Sequence, residues 1–189
     1  LACLTTQAAT WYVSPYGTNT NRGNGPAPSQ AWRTITCALV TSNAFLSPGD
    51  TVYIAPGTYR GAITLNKSYA GTPLYVRGDP RNEQGFTDTS GNRITARYVR
   101  LTSSSTDKDV AGAPTIDVQT YTNYSFFDML IDSSASSTKR VFWFAPNTAA
   151  GSGFSFTRCV LFSIQDAIYA NPAANCPVNL AITNCILLG

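Results

Sequence analysis

The feature that most limits what this chain can fold into is a repeat in its second half. The segments YSFFDMLI at 124–131, FSFTRCVL at 154–161 and LAITNCIL at 180–187 align without a gap, with starts 30 and then 26 residues apart. Each block reads as strand, turn, strand, and none can bury its apolar side alone. Stacking successive copies solves that problem, which is the logic of a solenoid. Aligned positions then lie about 4.8 Å apart on neighbouring coils. Phe126, Phe156 and Ile182 become one column, and Met129, Cys159 and Cys185 another. Between the blocks, Val141–Phe144 and Ala167–Ala170 supply second strands. Upstream, Leu74–Arg77, Tyr98–Leu101 and Thr115–Val118 have the same strand-like character.

The coil begins at Ser47–Leu65. This stretch has a turn at Pro48-Gly49-Asp50, a strand at Thr51–Ile54, a second turn at Pro56-Gly57, and a strand at Ala62–Leu65. Residues 1–46 read as a lead-in, a first strand at Trp11-Tyr12-Val13, a surface loop at Thr18–Ser29, and one helix from Trp32 to Leu46. Thr34 is placed as N-cap, and Ile35, Ala38 and Leu39 share a face at i, i+3, i+4. Such a helix would cover the open end of the first coil. The coils occupy 47–189, with polar loops projecting at about 79–93 and 103–114. The last coil, Val178–Leu188, is apolar and reads as lacking a C-terminal cap.

The order WYVSPYG at 11–17, WRTI at 32–35 and PGDTVYIAPGTY at 48–59 resembles the N-terminal cap and first coil of right-handed parallel β-helix proteins of the pectate-lyase-like superfamily. The resemblance is carried by the first third of the chain and continues beyond it as a repeat pattern. It implies an all-β, right-handed parallel β-helix with one N-terminal capping helix. It does not imply one activity, since the superfamily holds polysaccharide lyases and hydrolases, tailspikes, adhesins and surface proteins without catalysis.

Charged residues make up 12% of the chain, about half the usual share. Ser, Thr and Asn fill the difference, which suits short strands and an extracellular or cell-surface setting. The net charge of +3 with scattered arginines gives no footprint for nucleic acid. No apolar run approaches the roughly 18 residues of a membrane span. The five cysteines, Cys3, Cys37, Cys159, Cys176 and Cys185, match no zinc spacing, and the chain has no His. Cys3 with Cys37, and Cys159 with Cys185, are candidate disulfides. Stacked Cys159 and Cys185 serve equally well as two reduced thiols in a ladder. Cys176 is then the odd thiol, a candidate for an intermolecular bridge.

Candidate catalytic residues on strands are Asp117, Asp128, Asp132, Arg100 and Arg158. Hydrolysis needs two carboxylates across the bond, and elimination from uronates needs a base with calcium held by carboxylates. Asp128, however, aligns with Arg158 on the next coil, and opposite charges stacked this way form a structural ion pair. Asp50 fits an Asx turn, and Asp166 sits in a turn without an obvious partner. The aromatics Trp11, Tyr53, Tyr59, Tyr69, Tyr75, Tyr98, Tyr121 and Tyr169 can stack on sugar rings or serve the core. Asn66-Lys67-Ser68 and Asn123-Tyr124-Ser125 match the glycosylation sequon. The expected function is a secreted structural or self-assembling surface protein, associating end to end through its last coil into filaments. The alternatives are a polysaccharide lyase or hydrolase, a glycan-binding relative, or the first part of a longer tailspike or adhesin. No cofactor is expected, with calcium only under the lyase alternative.

Overall fold

Short runs of alternating apolar and polar residues, broken every few positions by Gly, Pro, Asn or Asp, build strands of two to five residues. The computed structural model describes residues 7–102, 115–118, 121–133, 140–144, 153–163, 166–170 and 179–188. Strand β1 (Thr10–Val13) comes first. Then follow rungs of three strands each. The first is β2 (Thr51–Ile54), β3 (Gly57–Arg60) and β4 (Ile63–Thr64); the second is β5 (Leu74–Gly78), β6 (Val99–Thr102) and β7 (Ile116–Asp117). The third is β8 (Tyr124–Phe127), β9 (Leu130–Asp132) and β10 (Arg140–Phe144); the fourth is β11 (Phe154–Thr157), β12 (Val160–Phe162) and β13 (Asp166–Ala170). Strands β14 (Leu180–Thr183) and β15 (Ile186–Leu188) belong to a fifth.

Each strand pairs with its counterpart one rung away, and every such pairing is parallel. Three sheets result: sheet A in the order β1-β2-β5-β8-β11-β14, sheet B in the order β3-β6-β9-β12-β15, and sheet C in the order β4-β7-β10-β13. The chain is therefore all-β with three parallel sheets, an arrangement compatible with a β-solenoid. Registers join Tyr124 to Phe154 and Leu180, and Phe126 to Phe156 and Ile182, the positions the sequence repeat aligns.

One core runs between the sheets, with Val52, Val76, Phe126 and Phe156 from sheet A, Leu101, Ile131 and Leu161 from sheet B, and Ile63, Ile116 and Phe142 from sheet C. Phe126 and Phe156 stack with ring centres 5.6 Å apart, and Phe142 meets Phe156 edge-on at 4.5 Å. Fully burying one such ring contributes about 1.5–3 kcal/mol.

The capping helix expected over Trp32–Leu46 does not form. In its place, two α-helical residues, 35–36, lead into a π turn at Cys37–Thr41, and a 3-10 turn follows at Asn43–Phe45. Thr34 Oγ1 does accept the Cys37 N–H at 3.0 Å, as an N-cap would. The segment that follows, however, contains the β-branched Thr36, Val40 and Thr41 and then Ser42 and Asn43, residues that favour helix interiors little. Ser42 N–H reaches back five residues to Cys37 O at 2.7 Å, widening the turn instead of propagating an α-helix. Ile35, Cys37, Ala38, Leu39 and Leu46 are nonetheless buried in the main core. Trp32 bridges Val13 at the free side of β1 and stacks on Trp11 at 5.5 Å.

The 79–93 stretch carries its own frame of hydrogen bonds. The Asp79 carboxylate accepts the Glu83 and Gln84 N–H groups, each at 2.8 Å. Asn82 Nδ2 donates to Phe86 O at 2.8 Å and Ile94 O at 3.1 Å. Phe86, fully buried, closes the stretch onto Tyr12 and Ala55. The 103–114 stretch lies outside the described residues.

Candidate functional site

Because side chains alternate along a strand, every second residue of sheet A faces outward. Register makes these positions into columns. One is Tyr12, Tyr53, Arg77, Phe127, Thr157 and Thr183; a neighbouring column contains Tyr75, Ser125 and Ser155. Arg77 lies over the Phe127 ring at 4.3 Å and near the Tyr75 ring at 5.9 Å. Ser155 Oγ donates to Ser125 Oγ at 2.8 Å.

One residue beyond sheet A the chain turns toward sheet B. There Asp128, Arg158 and Asn184 adopt left-handed backbone, with φ of 58°, 54° and 52°. Asn and Asp tolerate this region, whereas Arg is unusual in it. Gly78 occupies the corresponding place one rung earlier. A Cβ there would stand 2.3 Å from Asp128 O, so only glycine lets the two rungs approach.

The aromatic column, the turn and the folded-down 79–84 segment enclose a groove of about 480 Å³, lined by Tyr53, Arg77, Asp79, Arg81, Asp128 and Arg158 among others. Its carboxylates are engaged. Arg158 Nε donates to Asp128 Oδ1 at 2.6 Å, and Arg158 Nη2 donates to Oδ2 at 2.7 Å, a two-pronged ion pair. Asp79 is committed to the two backbone N–H groups described above, and Glu83 faces Arg81 at 3.9 Å. The Asp128 carboxylate raises the Arg158 pKa, first by hydrogen bonding and then by its charge. An arginine acting as a base must lose a proton, and this partner opposes that loss.

The other sequence candidates fall elsewhere. Asp117 belongs to sheet C, in register with Thr64 and Trp143, and does not line the groove. Asp132, 1% exposed, receives the Arg100 guanidinium, with Nε at 3.0 Å. Asp50 accepts from Ala9 N at 2.7 Å, Trp11 Nε1 at 2.8 Å and Ser47 N at 2.9 Å, a buried tie between lead-in and first rung. The Asp166 side chain, Cys3 and Cys176 lie outside the described residues. Cys37, Cys159 and Cys185 are free thiols. Burial pushes the Cys159 thiol up to about 12, which removes it as a nucleophile. Of the aromatics, Tyr59 and Tyr69 are buried, while Tyr53 and Tyr75 are partly exposed on the outer face. Among the described residues no three His, Cys, Asp or Glu side chains converge to hold a metal, and no helix is long and apolar enough to cross a membrane.

Arg77 and Phe127 carry no signal as binding residues in the sequence. Only the register of β5 against β8 would have placed them beside Tyr53 and Tyr75. No protein-family model matches the chain, and no curated protein or solved structure is significantly similar to it.

Proposed function

We propose that this is a secreted, right-handed parallel β-helix of the pectate-lyase-like type that binds an extended glycan on the outer face of sheet A without cleaving it. The hand follows from the strong preference of parallel β crossovers for right-handed connection. The observation that carries the function is the groove itself. It sets the partly exposed Tyr53 ring beside Arg77, Arg81 and Arg158, a pairing that suits a sugar ring and its hydroxyls, while Asp79 and Asp128 are already spent on internal bonds. Cleavage by hydrolysis would require a free acid and a second carboxylate across the bond. The test is binding of a panel of neutral and acidic polysaccharides by calorimetry, with chain-length analysis of each. Tyr53→Ala and Arg77→Ala should each weaken binding about tenfold, roughly the loss of one good contact. Depolymerisation of any bound polysaccharide, or affinity unchanged in both variants, would end this reading.

A further inference from the structure

We propose that a second site, apart from the sheet A groove, binds an oxyanion between Arg33 and Arg60. The two arginines are 27 positions apart in sequence and meet at one concavity of about 360 Å³, between the segment after Trp32 and the outer side of β3. Among the described residues no Asp or Glu lines it. Elsewhere in the molecule the described cations are mostly answered: Arg100 by Asp132, Arg158 by Asp128, Arg77 by the Phe127 ring, and Lys67 by Asn43 O and Leu46 O. The Arg33 and Arg60 guanidinium groups have neither a hydrogen bond nor an ion pair among the described residues. Two like charges gathered at one hollow repel, and an anion between them removes that repulsion.

The surroundings suit an anion. Thr36 and Thr58 line the same hollow, and their hydroxyls make no bond to other described groups. The Thr34 hydroxyl is already committed to Cys37 N and Asn19 Oδ1. Arg33 is held by its backbone N–H on Asn19 Oδ1 at 3.1 Å, and Thr58 and Arg60 are fixed in β3 by pairing with β6. Two guanidinium groups and two hydroxyls lining one hollow, on ordered backbone, suit the acceptor oxygens of sulfate, phosphate or carboxylate. The floor is closed by Tyr59, Ile63 and Leu101, all buried, so the site takes the anionic group and leaves the body that carries it toward solvent. None of the lining residues is shared with the sheet A groove.

The test is a titration of the isotope-labelled, intact chain with sodium sulfate against sodium chloride at matched ionic strength. Millimolar sulfate keeps the general salting effect small. Saturable amide shifts confined to Arg33–Thr36 and Thr58–Gly61 are expected. Arg33→Gln and Arg60→Gln should each weaken sulfate at least tenfold, Arg33→Lys should weaken it less, and Arg97→Gln should leave it unchanged. A sulfated monosaccharide that binds more tightly than inorganic sulfate assigns the group to a glycan; equal affinity assigns the free anion. Absence of saturable shifts at these residues in the wild-type chain, or equal affinity in the Arg33→Gln/Arg60→Gln double variant, would overturn the proposal whether or not either single variant folds fully.

Discussion

At the scale of single residues, two buried groups make sharp predictions. Asp50 satisfies three donors from two separate segments, one of them the indole of Trp11. Asp50→Ala would strand those donors in a buried setting, at a cost of about 2–4 kcal/mol in a chemical-denaturation experiment, since each buried unmet donor costs about 1–3 kcal/mol before relaxation. Asp50→Asn keeps one acceptor oxygen and should cost less. Cys159 makes a prediction about pH. Its thiol titrates near 12 in the folded chain, against an ordinary value of 9.0, because burial opposes the thiolate. The folded state therefore holds the proton after the unfolded state has released it. Stability from this group is complete below pH 9 and is lost as pH rises toward 12. Buried Tyr59 and Tyr69 and hydrogen-bonded Tyr124 act with the same sign, as burial raises each of them. Iodoacetamide near pH 9 should leave Cys159 unmodified in the native protein and modify it in denaturant; stoichiometric native labelling would contradict its burial.

At the scale of elements, the turn between sheets A and B sets how closely rungs can stack. Gly78→Ala places a methyl group against the Asp128 carbonyl, which is backbone and cannot swing aside. An overpacking cost of about 1–3 kcal/mol is expected, with chemical-shift changes at Asp128 and Met129 rather than at Gly78 alone. Asp128→Asn should be milder: it keeps a residue suited to left-handed backbone and loses only an exposed pair, worth about 0–1 kcal/mol. The turn also shows what was legible in sequence. Repeats aligned Asp128, Arg158 and Asn184 because one-dimensional stacking writes spatial neighbours into the sequence one coil apart, here 30 and then 26 residues. The ion pair followed from that alignment. The helix over Trp32–Leu46 did not follow from its i, i+3, i+4 pattern. Burial of Ile35, Ala38 and Leu39 selects which side faces the core, and β-branched residues decide that the backbone widens. The groove was hidden for a third reason. Phe127 and Arg77 lie 50 positions apart, and Arg77 belongs to no aligned block, so only strand register brings them together.

At the scale of the whole molecule, the parallel stack is asymmetric, and its stability should be too. In such a stack each rung contacts mainly its neighbours, so cooperativity passes along the stack instead of across it. One end is tied by the Asp50 bonds, by Trp11 on Trp32 and by the buried Ile35, Ala38 and Leu39. The other end exposes Ile182, Ile186, Leu187 and Leu188. Hydrogen exchange should therefore rise from β2 and β5, the slowest, through β8 and β11, to β14 and β15, the fastest. Phe156 tests the direction of transmission, because its ring bridges Phe126 on one rung and Phe142 on the next sheet. Phe156→Ala removes a fully buried ring and should cost about 3–5 kcal/mol if the stack unfolds as one unit. If stability passes rung by rung, the loss appears instead as fast exchange in β11, β12, β14 and β15, with protection in β2 and β5 retained. Uniform loss of protection across all the rungs would show that the three sheets melt together and would refute the sequential view.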